Sequence, residues 1–242
     1  MQIPNYIQSK SSKICNMACV LAVIDAWKNI IREENKDVTN LVHEIEKSLI
    51  KGSPWAGAID YDMAYYARAQ GFNVVIYKLE NKIQTDPSKD IHSYAIGRRD
   101  EVLKLGVKEV ITDDIERNVF SLVKEGKPVI VLVNGDVLYS KYARGGYEWW
   151  AHWIVLCDYD KSSDTFVIHD PAGWIIYKNP DIDLSKIKEI KELSGHYIKM
   201  DRAHLLKAWR LSRDVTARDL ENPENKDTTN PFTQEALYIY PP

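Results

Sequence analysis

The order of patterns along this chain predicts an α+β fold, a helical lobe followed by a lobe built on antiparallel sheet. Three observations carry the prediction. Apolar residues recur at helical spacing from Cys15 to about residue 70. Short β-branched runs become frequent from about residue 71. No internal repeat or low-complexity tract interrupts either part. A single domain is expected, with the helical lobe over about 1–70 and the sheet-containing part over about 71–242.

From Cys15 to about Ile31, the residues Ala18, Leu21, Ala22, Ile24, Trp27 and Ile31 follow the helical period. Apolar on most sides, this helix reads as buried, with Ser11 or Ser12 as its N-cap. Asp37 or Thr39 caps a second helix running to about Ile50, and a third spans Ile59–Gln70, closed by Gly71. Phe72–Tyr77 reads as a strand and Glu80–Asp90 as a loop. Helical pieces follow at Arg98–Leu105 and Asp113–Lys124, the latter capped by Thr112 and stopped by Gly126. Pro128–Val133 reads as a buried strand, Asn134–Gly146 as a loop, and Ala151–Tyr159, Thr165–Asp170 and Trp174–Tyr177 as strands. Residues 180–193 are charged and unpatterned. A helix over Asp201–Trp209, a polar tail over Asp214–Asn230 and an edge strand over Ala236–Tyr240 complete the reading.

Composition narrows the function classes. The chain has 242 residues, 45% hydrophobic and 28% charged, the balance of a soluble globular protein. With 32 basic and 35 acidic residues its net charge is −3, which gives no general attraction to nucleic acid or anionic lipid. The longest apolar runs, Val129–Val133 and Ile154–Cys157, are too short to span a bilayer. Met1–Tyr6 lacks the features of a signal peptide, so a cytoplasmic location is expected. Three cysteines do not make a disulfide framework, and no Cys/His group has zinc-ligand spacing. Neither a metal nor a cofactor is expected.

Four residues could carry chemistry. Cys15 lies at the start of the first helix, where unpaired N–H groups and the helix dipole stabilise a thiolate. Cys19, one turn on, is the weaker candidate. Two strands with a polar turn at Lys161–Ser163 read as a hairpin. Folding back about residue 161 sets His152 opposite Asp170, Ile154 opposite Ile168 and Leu156 opposite Phe166. A carboxylate on one imidazole nitrogen leaves the other free to take a proton, as a cysteine nucleophile requires. His169 then points away, beside Trp153. Gln8, in the polar loop before Cys15, can offer its amide to a developing oxyanion. Each residue also has a plain structural reading: a packing cysteine, a self-satisfied buried His–Asp pair, a solvated loop glutamine. Trp149, Trp150, Trp153 and Trp174 flank the site as cleft lining or as packing.

Together these segments resemble the bacteriocin-processing peptidase family, which cleaves double-glycine leader peptides, and its stand-alone relatives of papain-like fold. The resemblance rests on Gln8, on Cys15-Asn16-Met17-Ala18-Cys19 opening a helix, on His152-Trp153-Ile154-Val155-Leu156 followed by Asp158-Tyr159-Asp160, on Ile168-His169-Asp170-Pro171, and loosely on Gly126–Leu132. It implies Cys15 as nucleophile, His152 as base, Asp170 as orienter and Gln8 as oxyanion donor. The sequence departs from the family pattern at Asn16, Asp158 and His169, where glycine, glycine and asparagine are usual. Asn16, Trp150 and Trp153 are the expected substrate contacts. The implied activity is cleavage of a peptide or amide bond through an acyl-enzyme, with a peptide or protein as substrate. An acyltransferase, a protein-glutamine deamidase and a non-catalytic peptide-binding module are the alternatives on the same fold.

Overall fold

The computed structural model describes residues 1–7, 14–30, 36–49, 59–79, 89–139, 152–172, 197–210 and 234–242. The expected strand Trp174–Tyr177, the charged stretch 180–193, the tail 214–230, and most of the expected loop over 80–90 lie outside them.

The elements in chain order are β1 (Tyr6–Ile7), α1 (Cys15–Trp27), β2 (Lys36–Asp37), α2 (Thr39–Leu49), α3 (Asp60–Ala69) and β3 (Asn73–Lys78). They continue with α4 (Lys89–Lys104), β4 (Lys108–Ile111), α5 (Ile115–Lys124), β5 (Val129–Val133), α6 (Gly135–Tyr139) and β6 (His152–Asp160). The last four are β7 (Thr165–His169), β8 (Ile198–Asp201), α7 (Arg202–Arg210) and β9 (Glu235–Tyr240). Mixed helices and sheet make this an α+β structure. Helices are not confined to the first third, because α4, α5 and α7 lie between strands.

Helix α1 is buried along nearly its whole length, as its apolar sequence requires. Its N-cap is Ile14, not a serine, and makes no side-chain cap. It stops at Trp27, four residues short of the expected end. Asn29 adopts a left-handed conformation (φ 53°), with Asn29 N–H donating to Ala26 O and Ile30 N–H to Asp25 O. This is a Schellman termination in which asparagine takes the usual place of glycine. For α2, the Asp37 carboxylate accepts from Thr39 N–H at 2.8 Å. Gly71 follows α3 at φ 88°, as its closing role demands.

Among the described residues, seven strands form one sheet in the order β4-β3-β9-β5-β6-β7-β8. Neighbours are antiparallel apart from β3 and β4, which run parallel with α4 as the crossover. Strand β4 was not anticipated: Lys-Glu-Val-Ile is short and half charged. Helix α4 starts well before the expected Arg98, and α6 occupies part of the expected loop after Asn134. The largest correction concerns β9, which lies between β3 and β5 at the centre of the sheet rather than at its edge. Ala236, Leu237 and Ile239 are fully buried, with apolar partners on both faces. A central strand buried on both faces lacks the clean alternation that marks a half-exposed one.

The sheet separates two apolar layers. On one side α1 and α3 pack on Val74, Ile76, Ile130, Leu132, Trp153, Val155, Leu237 and Ile239. On the other, α5 and α7 pack on Val129, Val131, Val133, Ile154, Leu156, Phe166 and Ile168. There Phe120 meets Phe166 and Trp209 with ring centroids 4.6 and 6.1 Å apart.

Beneath α3 a charged cluster ties β9 to β3 and β4. The buried Lys78 ammonium lies 2.9 Å from Asp60, 3.4 Å from Glu235 and 3.9 Å from Glu109, and donates to Tyr61 Oη at 2.8 Å. Tyr61 donates to Glu109 at 2.7 Å, and Arg99 reaches Glu109 at 2.5 Å. Burial works against the ammonium, but Asp60 and Glu235 outweigh it and hold Lys78 charged. Three carboxylates compete for two cations. Burial therefore pushes the Glu235 carboxyl up to about 8, against the pull of Lys78 and with repulsion from Asp60.

This gives a pH test. Between the ordinary carboxyl value and about 8, the folded chain holds a proton on Glu235 that the unfolded chain has lost. Stability should therefore fall as pH rises through that window and level off above it. Glu235→Gln, neutral at every pH, should remove this component, up to about 1.4 kcal/mol per pH unit. Urea unfolding of both proteins between about pH 5 and pH 9 measures it. Parallel stability curves would show that Glu235 is ionised in the fold.

Candidate functional site

The site is built around the β6–β7 hairpin. Its turn, Lys161–Asp164, takes four residues, with Asp164 left-handed at φ 50°. Asp160 accepts from Ser162 N–H at 2.9 Å and from Ser162 Oγ at 2.6 Å, which fixes the entry to the turn. The first pairs are Asp160 with Thr165, Tyr159 with Phe166 and Asp158 with Val167. Cys157 is then passed over as a bulge, and pairing resumes at Leu156 with Ile168 and Val155 with His169.

The expected register is thus corrected: Leu156 faces Ile168, not Phe166, and His152 is not directly opposite Asp170. The offset beyond the bulge is two residues, which preserves the face of every side chain. Continued to the strand ends, the register sets Ile154 opposite Asp170 and leaves His152 and Asp170 as diagonal neighbours on one face. Without the extra residue at Cys157, the register would put His169 on the His152 face and Asp170 on the other.

The diagonal pair closes. His152 Nε2 lies 2.7 Å from Asp170 Oδ1, and both side chains are buried, at 2% and 0% exposure. The same oxygen accepts from Ala172 N–H at 2.7 Å, a turn made by the Asp-Pro-Ala sequence. An ionised carboxylate only accepts, so Nε2 carries the proton and Nδ1 is the acceptor nitrogen. Burial pushes the His152 imidazole down, to about 3. The imidazole is accordingly neutral at neutral pH.

Cys15 is the first residue of α1 and is partly exposed. Its sulfur receives the main-chain N–H of Trp153, the residue after His152, and feels the Asp170 carboxylate. Burial pushes the thiol up to about 11. The N–H groups of Trp153, Asn16 and Cys15 pull it down, and the Asp170 charge adds to the rise. The helix-terminus expectation of a depressed thiol is thus reversed: dehydration outweighs the backbone donors, and the resting thiol is protonated.

Asn16 is buried, with Oδ1 accepting from Met17 N–H at 2.7 Å, so its side chain caps its own helix. Trp153 is nearly buried within the layer beneath α1. Gln8, Trp149, Trp150 and Trp174 lie outside the described residues. β1 ends at Ile7, just before Gln8, and Tyr6 Oη donates to the buried carboxylate of Asp25 on α1. Cys19, expected only as the weaker nucleophile candidate, instead donates its thiol to Trp153 O at 3.3 Å. The available signal was its spacing of four residues from Cys15, which places both on one helix face. Among the described residues, no group of three or more His, Cys, Asp or Glu is placed to hold a metal ion. No helix among them is long and apolar enough to cross a membrane.

A helix opening on a cysteine, packed against a sheet whose hairpin pairs a histidine with an aspartate, belongs to the papain-like fold class of cysteine peptidases. The model of the Peptidase_C39-like family matches residues 1–205, and the chain belongs to that family. No curated protein matches it.

The Asp170 contacts set a stability test. Asp170→Ala strands two buried donors, His152 Nε2–H and Ala172 N–H, and should cost about 2–5 kcal/mol. Asp170→Asn keeps an acceptor for both and should cost about 1 kcal/mol or less. Urea unfolding at neutral pH compares them. Equal losses in the two variants would mean that the carboxylate charge, not its acceptor geometry, holds this corner.

Proposed function

We propose that the protein is a cysteine hydrolase that cleaves a peptide or amide bond in a peptide or protein substrate, through an acyl-enzyme on Cys15. The observation that carries this reading is the buried His152–Asp170 hydrogen bond, with the Cys15 sulfur receiving the N–H of Trp153, the residue after His152, and feeling the Asp170 charge. Family membership supports the same class of chemistry.

The resting pair is a neutral thiol and a neutral imidazole. As the thiol attacks the substrate carbonyl, its proton passes to His152 Nδ1, and Asp170 stabilises the imidazolium that forms. Proton transfer accompanies attack because a free thiolate is costly in this dehydrated site. The carbonyl oxygen becomes an oxyanion, held by the N–H groups at the start of α1 and by the Gln8 amide. His152 returns its proton to the leaving amine. Water, deprotonated by the same nitrogen, then releases the acyl group. Trp150 borders the substrate in this reading, while the buried Asn16 and Trp153 side chains support the start of α1 from within the protein.

A peptidyl electrophile, followed by mass mapping of the adduct, tests the assignment. Cys15 should be labelled, and Cys19 and Cys157, whose thiols burial raises further, should not. Cys15→Ala should abolish cleavage of peptides found by library screening. Gln8→Ala should lower kcat by about 10²–10³ with KM nearly unchanged, since the oxyanion exists only after attack. First labelling at Cys19 or Cys157 would end the reading.

A further inference from the structure

Two thiols of α1 engage one residue of β6. The Cys15 sulfur receives Trp153 N–H, and the Cys19 sulfur lies 3.3 Å from Trp153 O. The spacing explains how: residues four apart on a helix share a face, about 6 Å apart along the axis. Within a strand, the N–H and C=O of one residue point to the same edge.

That edge is open to the helix for a reason in the sequence. The β6–β7 ladder ends at Val155 and His169. Continued by two residues, its register brings Pro171 opposite Trp153. Proline has no N–H to donate, so Trp153 O cannot complete a ladder bond there. The Cys19 thiol supplies a donor in its place. Cys19 is fully buried, and the reaction proposed above does not use it.

We propose that Cys19 is a positioning residue: its hydrogen bond to Trp153 O fixes the register of α1 against β6, and thereby the placing of Cys15 relative to His152. This rests on the reading of Cys15 and His152 as nucleophile and base. A helix held to the strand at the residue after His152 cannot slide or rotate without breaking that bond. Cys15, one turn earlier on the same face, moves with it. Cysteine suits the place because a sulfur donor spans a longer contact than a hydroxyl and packs as a small hydrophobe.

The experiment is a mutant cycle read by the rate at which iodoacetamide alkylates Cys15, a measurement that needs no peptide substrate. His152→Gln is made in three backgrounds: wild type, Cys19→Ala and Cys19→Ser. In wild type, losing the imidazole should slow alkylation of Cys15. In Cys19→Ala the same change should matter at least about threefold less, because Cys15 and His152 are no longer held in register. Cys19→Ser, which keeps a donor, should restore most of the coupling. With a cleavable peptide, Cys19→Ala should lower kcat by about tenfold to a hundredfold and change KM little. An equal effect of His152→Gln with and without Cys19 would overturn the positioning role and leave the hydrolase reading intact. If His152→Gln fails to alter Cys15 reactivity even in wild type, both fall. A Cys19→Ala protein that loses stability but keeps the full coupling would show that Cys19 only packs.

Discussion

One unpaired residue, Cys157, decides which side chains of the β6–β7 hairpin share a face. Strand parity is unforgiving, because a shift of one residue sends a whole row of side chains to the opposite layer. The turn at Lys161–Asp164 sets one register near its own end, and the bulge converts it into another at the far end. The conversion brings Asp170, rather than His169, to the side of His152. It also leaves Ile154, Leu156 and Ile168 facing α5 and α7 while Trp153, Val155 and Cys157 face α1. The chemistry of the site and the packing of both layers therefore depend on the same local irregularity.

Charge burial follows one rule at Asp170 and in the Lys78 cluster. Asp170 is fully buried and meets two N–H donors at 2.7 Å, so a carboxylate withdrawn from water keeps hydrogen-bond partners. In the Lys78 cluster, three carboxylates share one ammonium, Tyr61 and Arg99, and the excess is relieved by holding Glu235 protonated. Both lie toward the same end of the sheet, where β3 and β5 finish and β9 and β6 begin. The C-terminal strand thereby joins the halves of the sheet through main-chain pairing and through the Glu235 side chain beside Lys78. It does so from beyond residue 205, where the family match ends.

At the nucleophile, two backbone effects oppose dehydration and lose. N–H groups at the start of α1 and from Trp153 favour a thiolate, yet the protein packed around the sulfur keeps it a thiol. With His152 neutral as well, the pair stores no charge at rest. Charge appears only when a carbonyl arrives to accept the electron pair, which is where fixed donors have most effect.

The sequence by itself determined the elements whose signals are local. Apolar spacing marked α1, Gly71 the end of α3, β-branched residues β5, and the polar turn the hairpin. The pairing of His152 with Asp170 was legible as well, because an error of two residues in register preserves parity. What the sequence left undecided depends on partners distant in the chain. Asn29 could end α1 only by adopting a left-handed turn, a choice set by its surroundings. Strand β9 looked like an edge because its place depends on β3 and β5, more than a hundred residues earlier. The protonated thiol of Cys15 was invisible, since dehydration comes from the packed layers and not from the helix that carries the residue. Local propensity acts through neighbours along the chain; register, burial and proton affinity are set by neighbours in space, and only the tertiary structure supplies those.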